Sequence, residues 1–378
     1  MRLRSCCVAA VLLLALPAVA QDRGAGLRTA FSRAQHLRHG INASLWFAQV
    51  EDYSAARTNR FNDAADIALM ARMGFDNVRL CVDPAPLEQQ PLGREGMNAD
   101  FLLRLDRAVD TILADGLSVQ LSMFPDEGYK AQLNDSDEAV NRLAALWRRL
   151  AAHYATRNPE RMFFEILNEP EVFSTRRWTK IQEQLAAAIR ESAPQNTIIA
   201  TGPGYSNVDD LEGMHPLADG NVIYTFHFYE PHLFTHQGAT WAEPLFRSTH
   251  GIPYPASAGP TPEILAEAPD WVGWLEIRYY WWVHWDAAHI RSLIDGAAAW
   301  SHKNNVPVIS NEFGVYREHV DAVSRTNWLR DVRAALEADG IGWTVWDYCS
   351  GFGVVWKQDN KPAKVDAQVV AALGMKWP

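Results

Sequence analysis

Eight short apolar runs, most of them followed by a longer stretch of helical period, organise the chain from residue 40 to residue 348. The runs are "GINASLWF" (40–47), "NVRLCV" (77–82), "LSVQLSMF" (117–124), "MFFEILN" (162–168), "TIIATG" (197–202), "VIYTFHFY" (222–229), "VPVISNEF" (306–313) and "IGWTVWDY" (341–348). Helical stretches fall between them at 62–73, 100–115, 136–156, 175–193, 286–304 and 324–339. In 100–115, Phe101, Leu102, Leu105, Val109, Ile112 and Leu113 recur at intervals of three and four, which gives a helix one buried stripe. Gly74, Gly116 and Gly340 stand where helices stop just before the next strand, a position that needs left-handed backbone. Eight strand–helix alternations without a break in composition predict one α/β domain, a closed (β/α)8 barrel of the TIM type. A doubly wound open sheet is the rival, but no G-x-G-x-x-G or P-loop follows an early strand.

One segment breaks the rhythm. Residues 230–285 form a long, proline-rich insertion between strand 6 and helix 6 that ends in "WVGWLEIRYYWWVHW". Insertions of this length serve as lids or binding walls. Equally, their aromatic side chains can simply pack the loop onto the barrel. The chain carries 15 tryptophans, so the choice between aromatic platforms and bulky core filling recurs throughout it.

With 48% hydrophobic and 21% charged residues, the chain is globular and able to bury a core. Its net charge of −10 repels polyanions, which argues against nucleic-acid or membrane-surface partners and suits a neutral substrate. The N-terminus has the three parts of an export signal: Arg2 and Arg4, the apolar run from Val8 to Leu16, and Ala18-Val19-Ala20. Residues 1–20 are therefore expected to be a signal peptide and 21–378 the barrel, a secreted or periplasmic monomer with no membrane attachment after cleavage. Cys6 and Cys7 would leave with the signal. Cys81 and Cys349 then sit near the ends of strands 2 and 8, about 10 Å apart across strand 1, and two free buried thiols are expected.

Two of the runs end alike: "FFEILNEP" (163–170) in Asn168-Glu169-Pro170, and "VPVISNEFG" (306–314) in Asn311-Glu312. Strand ends of a barrel open onto one face, and strands 4 and 7 stand across its mouth from each other. Paired carboxylates about 5–5.5 Å apart suit glycoside hydrolysis with retention, and wider gaps suit inversion. Each glutamate alone also fits a structural ion pair, and Arg79 could pair with Glu165 instead.

In this setting the sequence resembles glycoside hydrolase family 5, the cellulase-type family. The likeness rests on Asn168-Glu169-Pro170 and Glu312, with "HGIN" (39–42), "NVRL" (77–80), "HFY" (227–229) and "WTVWDY" (343–348) in order on their strands. It implies a retaining β-glycosidase with Glu169 as acid/base and Glu312 as nucleophile. An endo-β-1,4-glucanase-like activity on β-linked poly- or oligosaccharide is favoured. A mannanase, a xyloglucanase, an exo-acting β-glucosidase, a transglycosylase and a non-catalytic carbohydrate-binding barrel remain as alternatives. By the same likeness Arg79 and Tyr229 hydrogen-bond the nucleophile, and Asn168 donates to the sugar 2-hydroxyl. Trp346 stacks on the sugar face, and His227 orients the acid/base or binds substrate. Glu169 is expected to need a raised pKa for its acid role.

There is one departure. Where the family ends its third strand in histidine, this chain has Phe124, and Asp126, Glu127 and Tyr129 are candidates to replace the lost contact. No cofactor is implied. "HFYEPHLFTH" does offer His227, His232 and His236 for a zinc ion, but H-E-x-x-H is absent and no metal is expected.

Overall fold

The computed structural model describes residues 12–256, 258–358 and 361–378, with side chains from residue 23 onward. Each of the eight apolar runs forms a strand, and the strands close on themselves in sequence order. They are β1 (His39–Phe47), β2 (Asn77–Val82), β3 (Ser118–Met123), β4 (Met162–Glu165), β5 (Thr197–Thr201), β6 (Val222–Phe228), β7 (Val308–Phe313) and β8 (Gly342–Val345). All neighbours are parallel, and β8 returns to β1 with Gly40 opposite Thr344. The sheet is thus the closed barrel that the alternation predicts.

The helices outside it begin and end on ordinary chemistry. Asp63 and Asp66 form a reciprocal capping box at the start of Ala64–Met73, and Gly74 ends it in left-handed backbone with φ 98°. Gly116 and Gly340 do the same work at φ 80° and 69°. Ala99–Ala114 buries Phe101, Leu102, Leu105, Val109 and Ile112, the stripe read from the sequence. After β5, where the sequence shows no long helical stretch, a single short turn of helix, Val208–Glu212, makes the connection.

The barrel interior divides by height. Near the strand starts, one half is polar: Gln120 donates to Asn77 at 2.7 Å and to Thr344 at 3.1 Å. Gly40 faces them, and a Cβ there would stand 2.3 Å from Asn77 Oδ1, so only glycine lets β1 approach. The other half is apolar, with Phe163, Ile199, Ile223 and Ile309 packed on Ala30, Ala34 and Leu37. Those last residues belong to the end of helix Leu12–Ala34 and the turn after it, which close this end of the barrel. Arg33 fastens that plug to Glu160 at 2.7 Å and to Thr197 at 3.1 Å. The other end, where the strands finish, is left open for a site.

Two sequence expectations need adjustment. The regular ladder of β4 ends at Glu165, well short of Pro170. Beyond it Ile166 N still donates to Ile199 O at 3.1 Å and Asn168 N to Met123 O at 2.8 Å. The pairing therefore thins out before the proline, and what redirects the chain is left-handed backbone at Glu169 and Glu171, φ 35° and 54°. Next, the 230–285 insertion is not one loop. It holds His232–Thr235, Pro244–Ser248, Pro262–Ala266 and Trp271–Trp282. Tyr254, Ile277, Tyr280 and Trp281 are buried, and Tyr254 donates to Ser324 and Asp331 of helix Ala322–Ala338, so packing is the fate of these aromatics. Trp241, Trp271 and Trp282 are exposed instead. The expected signal peptide, residues 1–20, lies partly outside the described residues.

Cys81 and Cys349 are free, as expected, although Cys349 is only half-buried. No described helix is long and apolar enough to cross a membrane.

Candidate active site

The open mouth is built around one guanidinium. Arg79 projects inward from β2 and is fully buried. Its Nε and Nη2 donate to the two oxygens of Glu165, both at 2.6 Å, and its Nη1 donates to Glu312 Oε1 at 2.5 Å. Nη1 also reaches Asn42 Oδ1 at 2.9 Å, and Nη2 reaches Asn168 Oδ1 at 2.8 Å and Ser122 Oγ at 3.1 Å. Strand register explains the convergence, since Asn42 lies opposite Arg79 on β1 and Ser122 opposite Glu165 on β3. The sequence leaves open whether Arg79 pairs with Glu165 or with Glu312; it bonds both. Burial drags the arginine's pKa down, but Glu165 and Glu312 outweigh it and hold the charge more firmly than usual.

Glu312, on β7, is gripped from a second side. The Tyr229 hydroxyl donates to its Oε2 at 2.9 Å. Behind Tyr229 the insertion acts as a brace: Thr235 donates to the Tyr229 carbonyl at 2.6 Å, and the His236 ring meets the tyrosine edge-on at 5.1 Å. Glu169 hangs over the mouth on its left-handed residue, and its Oε1 meets His227 Nδ1 at 2.8 Å. The same nitrogen lies 3.6 Å from Glu312. One ligand atom from each of Glu169, His227 and Glu312 falls within 4.8 Å of the others, so the two carboxylates belong to one site.

Charge in this cluster is distributed differently from the sequence expectation. Burial would raise Glu169, but the hydrogen bond and charge of His227, with Lys130 and Arg79 beyond it, hold it below the ordinary carboxylate range. Glu312 is pushed up by burial despite His227 and Arg79, and His227 is raised because the two glutamates overcome its burial. The raised pKa expected of Glu169 is therefore not found; its carboxyl is held low in this cluster. There, the imidazole between the two carboxylates holds a proton more tightly than a free histidine does.

Trp346 and Phe124 form one wall, their rings 6.0 Å apart and 21° from parallel. Phe124 thus fills space against the tryptophan. Of the residues considered as its substitutes, Asp126 caps helix Glu127–Asp135 by accepting from Tyr129 N at 2.7 Å, and Glu127 is exposed. Tyr129 is half-buried with its hydroxyl unpartnered. Two cations lie over Phe124, Lys130 and Arg79, each 5.9 Å from the ring centre. Lys130 was not legible beforehand, because its partner Glu171 is distant in the chain. Asn42 was more legible, as the last residue of "HGIN". Trp241 extends the aromatic surface outward, edge-on to Tyr316 at 4.9 Å and 6.3 Å from Phe352, which itself lies 6.1 Å from Tyr229. The three histidines of the zinc alternative do not gather: His232 and His236 stack on each other at 5.1 Å, and only His227 joins the glutamates among the described residues. Burial and His232 pull His236 down to about 3, so it stays neutral.

A barrel with two acidic strand ends facing an arginine, a tyrosine and a histidine has the arrangement that suits a glycosidase. The sequence matches the description "Cellulase (glycosyl hydrolase family 5)" over residues 40–351, and the chain belongs to that family. Endoglucanase C of Acetivibrio thermocellus is 29% identical over 329 residues, spanning 85% of this chain and 94% of that protein. Thermotoga maritima Cel5A in complex with cellobiose is 26% identical, with a TM-score of 0.71 over 91% of this chain and 99% of that one. The same protein in complex with mannotriose is 25% identical, with a TM-score of 0.72 over the same shares. The chain is accordingly an O-glycosyl hydrolase of the endoglucanase-like kind.

Proposed function

We propose that this protein is an exported endo-β-1,4-glucanase-like hydrolase that retains anomeric configuration. Glu312 acts as its nucleophile and Glu169 as its acid/base. The observation that carries the reading is the asymmetry of the two carboxylates. Glu312 has both oxygens occupied by fixed donors, Arg79 and Tyr229, which steady an anion and aim it. Glu169 touches only a proton carrier, His227, and is the more exposed of the two. One oxygen of each lies within 4.8 Å of the other, a proximity that fits the close, retaining class of about 5–5.5 Å.

In this reading Glu312 attacks the anomeric carbon while Glu169 gives its proton to the departing glycosidic oxygen. The resulting glycosyl ester on Glu312 is broken by a water whose proton Glu169 takes back. Arg79 and Tyr229 hold the attacking oxygens in place. Asn168 has its carbonyl engaged by Arg79, while its buried Nδ2 has no partner, a donor free for the sugar 2-hydroxyl. Trp346 is the stacking floor. Export rests on the N-terminal sequence of residues 1–20, and action as a monomer is part of the same proposal.

The cellobiose and mannotriose complexes of the similar Cel5A support β-glucan as first choice and mannan as second. A hydrolysis panel on soluble β-glucan, mannan, xylan and xyloglucan tests the reading, with wild type, Glu169→Gln and Glu312→Gln. Both variants are expected to lose activity by 10³-fold or more on the order seen for paired-residue sites. Near-wild-type activity in either would overturn it.

A further inference from the structure

Lys130 is a charged residue that the account above leaves without a task. It sits on helix Glu127–Asp135, 4% exposed, with Nζ 2.9 Å from Glu171 Oε1 and 5.9 Å from the centre of the Phe124 ring. A lysine taken this far out of water is costly unless its charge is answered. Here the answer comes from a carboxylate two residues beyond Glu169, and from an aromatic face at a strand end.

The segment it holds needs holding. Glu169 and Glu171 both have left-handed backbone, φ 35° and 54°, which costs side-chain-bearing residues of order 1 kcal/mol or more each unless the surroundings enforce it. Three contacts enforce it at Glu171: the Lys130 ion pair, Asn134 Nδ2 donating to the Glu171 carbonyl at 3.2 Å, and Glu171 N donating to Gly204 O at 2.8 Å. Two of these three come from the helix that carries Lys130.

We propose that Lys130 is a positioning residue for the reaction: clamped by Glu171 and laid against Phe124, it fixes the turn that carries Glu169 and supplies a positive charge against which Glu169 gains and loses its proton. The charged and titratable groups around Glu169 are His227 and Tyr229 from β6, Glu312 from β7, Arg79 from β2, Tyr205 after β5, His236 of the insertion, and Glu165 and Glu171 on its own segment. Arg79 is committed to Glu165 and Glu312, so altering it disturbs the nucleophile as well. Lys130 acts on the Glu169 side of the site. Its charge favours the Glu169 carboxylate, in line with its place among the groups that lower that carboxyl.

The proposal rests on Glu169 being the acid/base, and the test separates the two. The pH profile of kcat/KM on a soluble β-glucan oligosaccharide is measured for wild type, Lys130→Met, Lys130→Arg, Glu171→Gln and Glu169→Ala. Its alkaline limb reports loss of the proton held by Glu169 and its His227 partner. Lys130→Met is expected to move that limb up by roughly one pH unit, because a neighbouring cation is gone. Lys130→Arg restores it. Glu171→Gln moves it down, because the lysine charge is no longer answered. A lower kcat with an unmoved limb in Lys130→Met, or shifts of the same sign in Lys130→Met and Glu171→Gln, would overturn the proposal. Should Lys130→Met fail to fold, the direction of the Glu171→Gln shift decides alone. A wild-type alkaline limb persisting in Glu169→Ala would instead overturn the acid/base assignment. A limb lost there but unmoved by the lysine variants overturns only the role of Lys130.

Discussion

Arg79 and Glu165 face each other as fork and carboxylate, with two hydrogen bonds of 2.6 Å and neither side chain more than 1% exposed. The same guanidinium turns its remaining edge to Glu312 at 2.5 Å. Glu165 thus fixes the arginine that fixes Glu312, the proposed nucleophile, and three strands of the barrel are locked through one planar group. A lysine has a single ammonium and cannot span both carboxylates.

Replacing Arg79 should therefore affect the fold as much as the chemistry. Arg79→Met leaves two buried carboxylates without their cation, an arrangement that costs about 3–5 kcal/mol. The midpoint of urea unfolding at neutral pH is expected to fall accordingly. A midpoint within error of wild type would mean that the pair contributes nothing to stability.

Tyr229→Phe removes one donor from Glu312 and leaves the packing of the ring against His236 and Phe352 intact. A hydrogen bond to a charged group is worth about 1.5–3 kcal/mol, so kcat should drop roughly 10- to 100-fold, with a modest fall in the unfolding midpoint as a buried Glu312 oxygen loses its donor. The pH profile should move too. Burial already raises Glu312, which reacts only when ionised, so activity falls as pH drops through its raised pKa. Losing the tyrosine donor raises that pKa further, and the acid limb of kcat/KM is expected to shift to higher pH. A shift to lower pH would contradict the role given to Glu312.

Phe124 supports Trp346 face to face. Phe124→Ala should cost about 3 kcal/mol or more of stability, as truncation of a buried aromatic does. It should also raise KM for oligosaccharides, because the tryptophan loses its backing. Unchanged KM would show that the orientation of Trp346 does not depend on Phe124.

Trp241 is 61% exposed yet edge-on to the aromatic cluster that reaches Tyr229 through Phe352. Trp241→Ala is expected to raise KM for long oligosaccharides roughly tenfold, about 1.4 kcal/mol of stacking. KM for a short aryl glycoside, which does not extend so far, should stay the same. An equal change in both would show that Trp241 supports structure and does not contact substrate.

The barrel was legible because its strands are buried on both faces and stand out as continuous apolar runs between periodic helices. β2 falls on the residues read for it, 77–82. Strand ends were harder. β4 lost its last three residues because left-handed backbone at Glu169, which no residue type announces there, bends the chain before Pro170 does. Glu169, Glu312, Arg79, Tyr229 and His227 could be gathered from their strand-end positions and the resemblance. Lys130–Glu171 could not, since its two members approach only once the loops after β3 and β4 are folded. The proton distribution was equally hidden, because it depends on His227 standing 2.8 Å from one carboxylate and 3.6 Å from the other.

The central claim is that Glu312 forms a covalent bond to the sugar. It is tested most directly by trapping that ester with an activated 2-deoxy-2-fluoro glycoside and mapping the labelled peptide by mass spectrometry. The label is expected on Glu312, in the peptide containing "VISNEFG". A label on Glu169 or Glu165, or complete inactivation with no covalent adduct, would contradict the account.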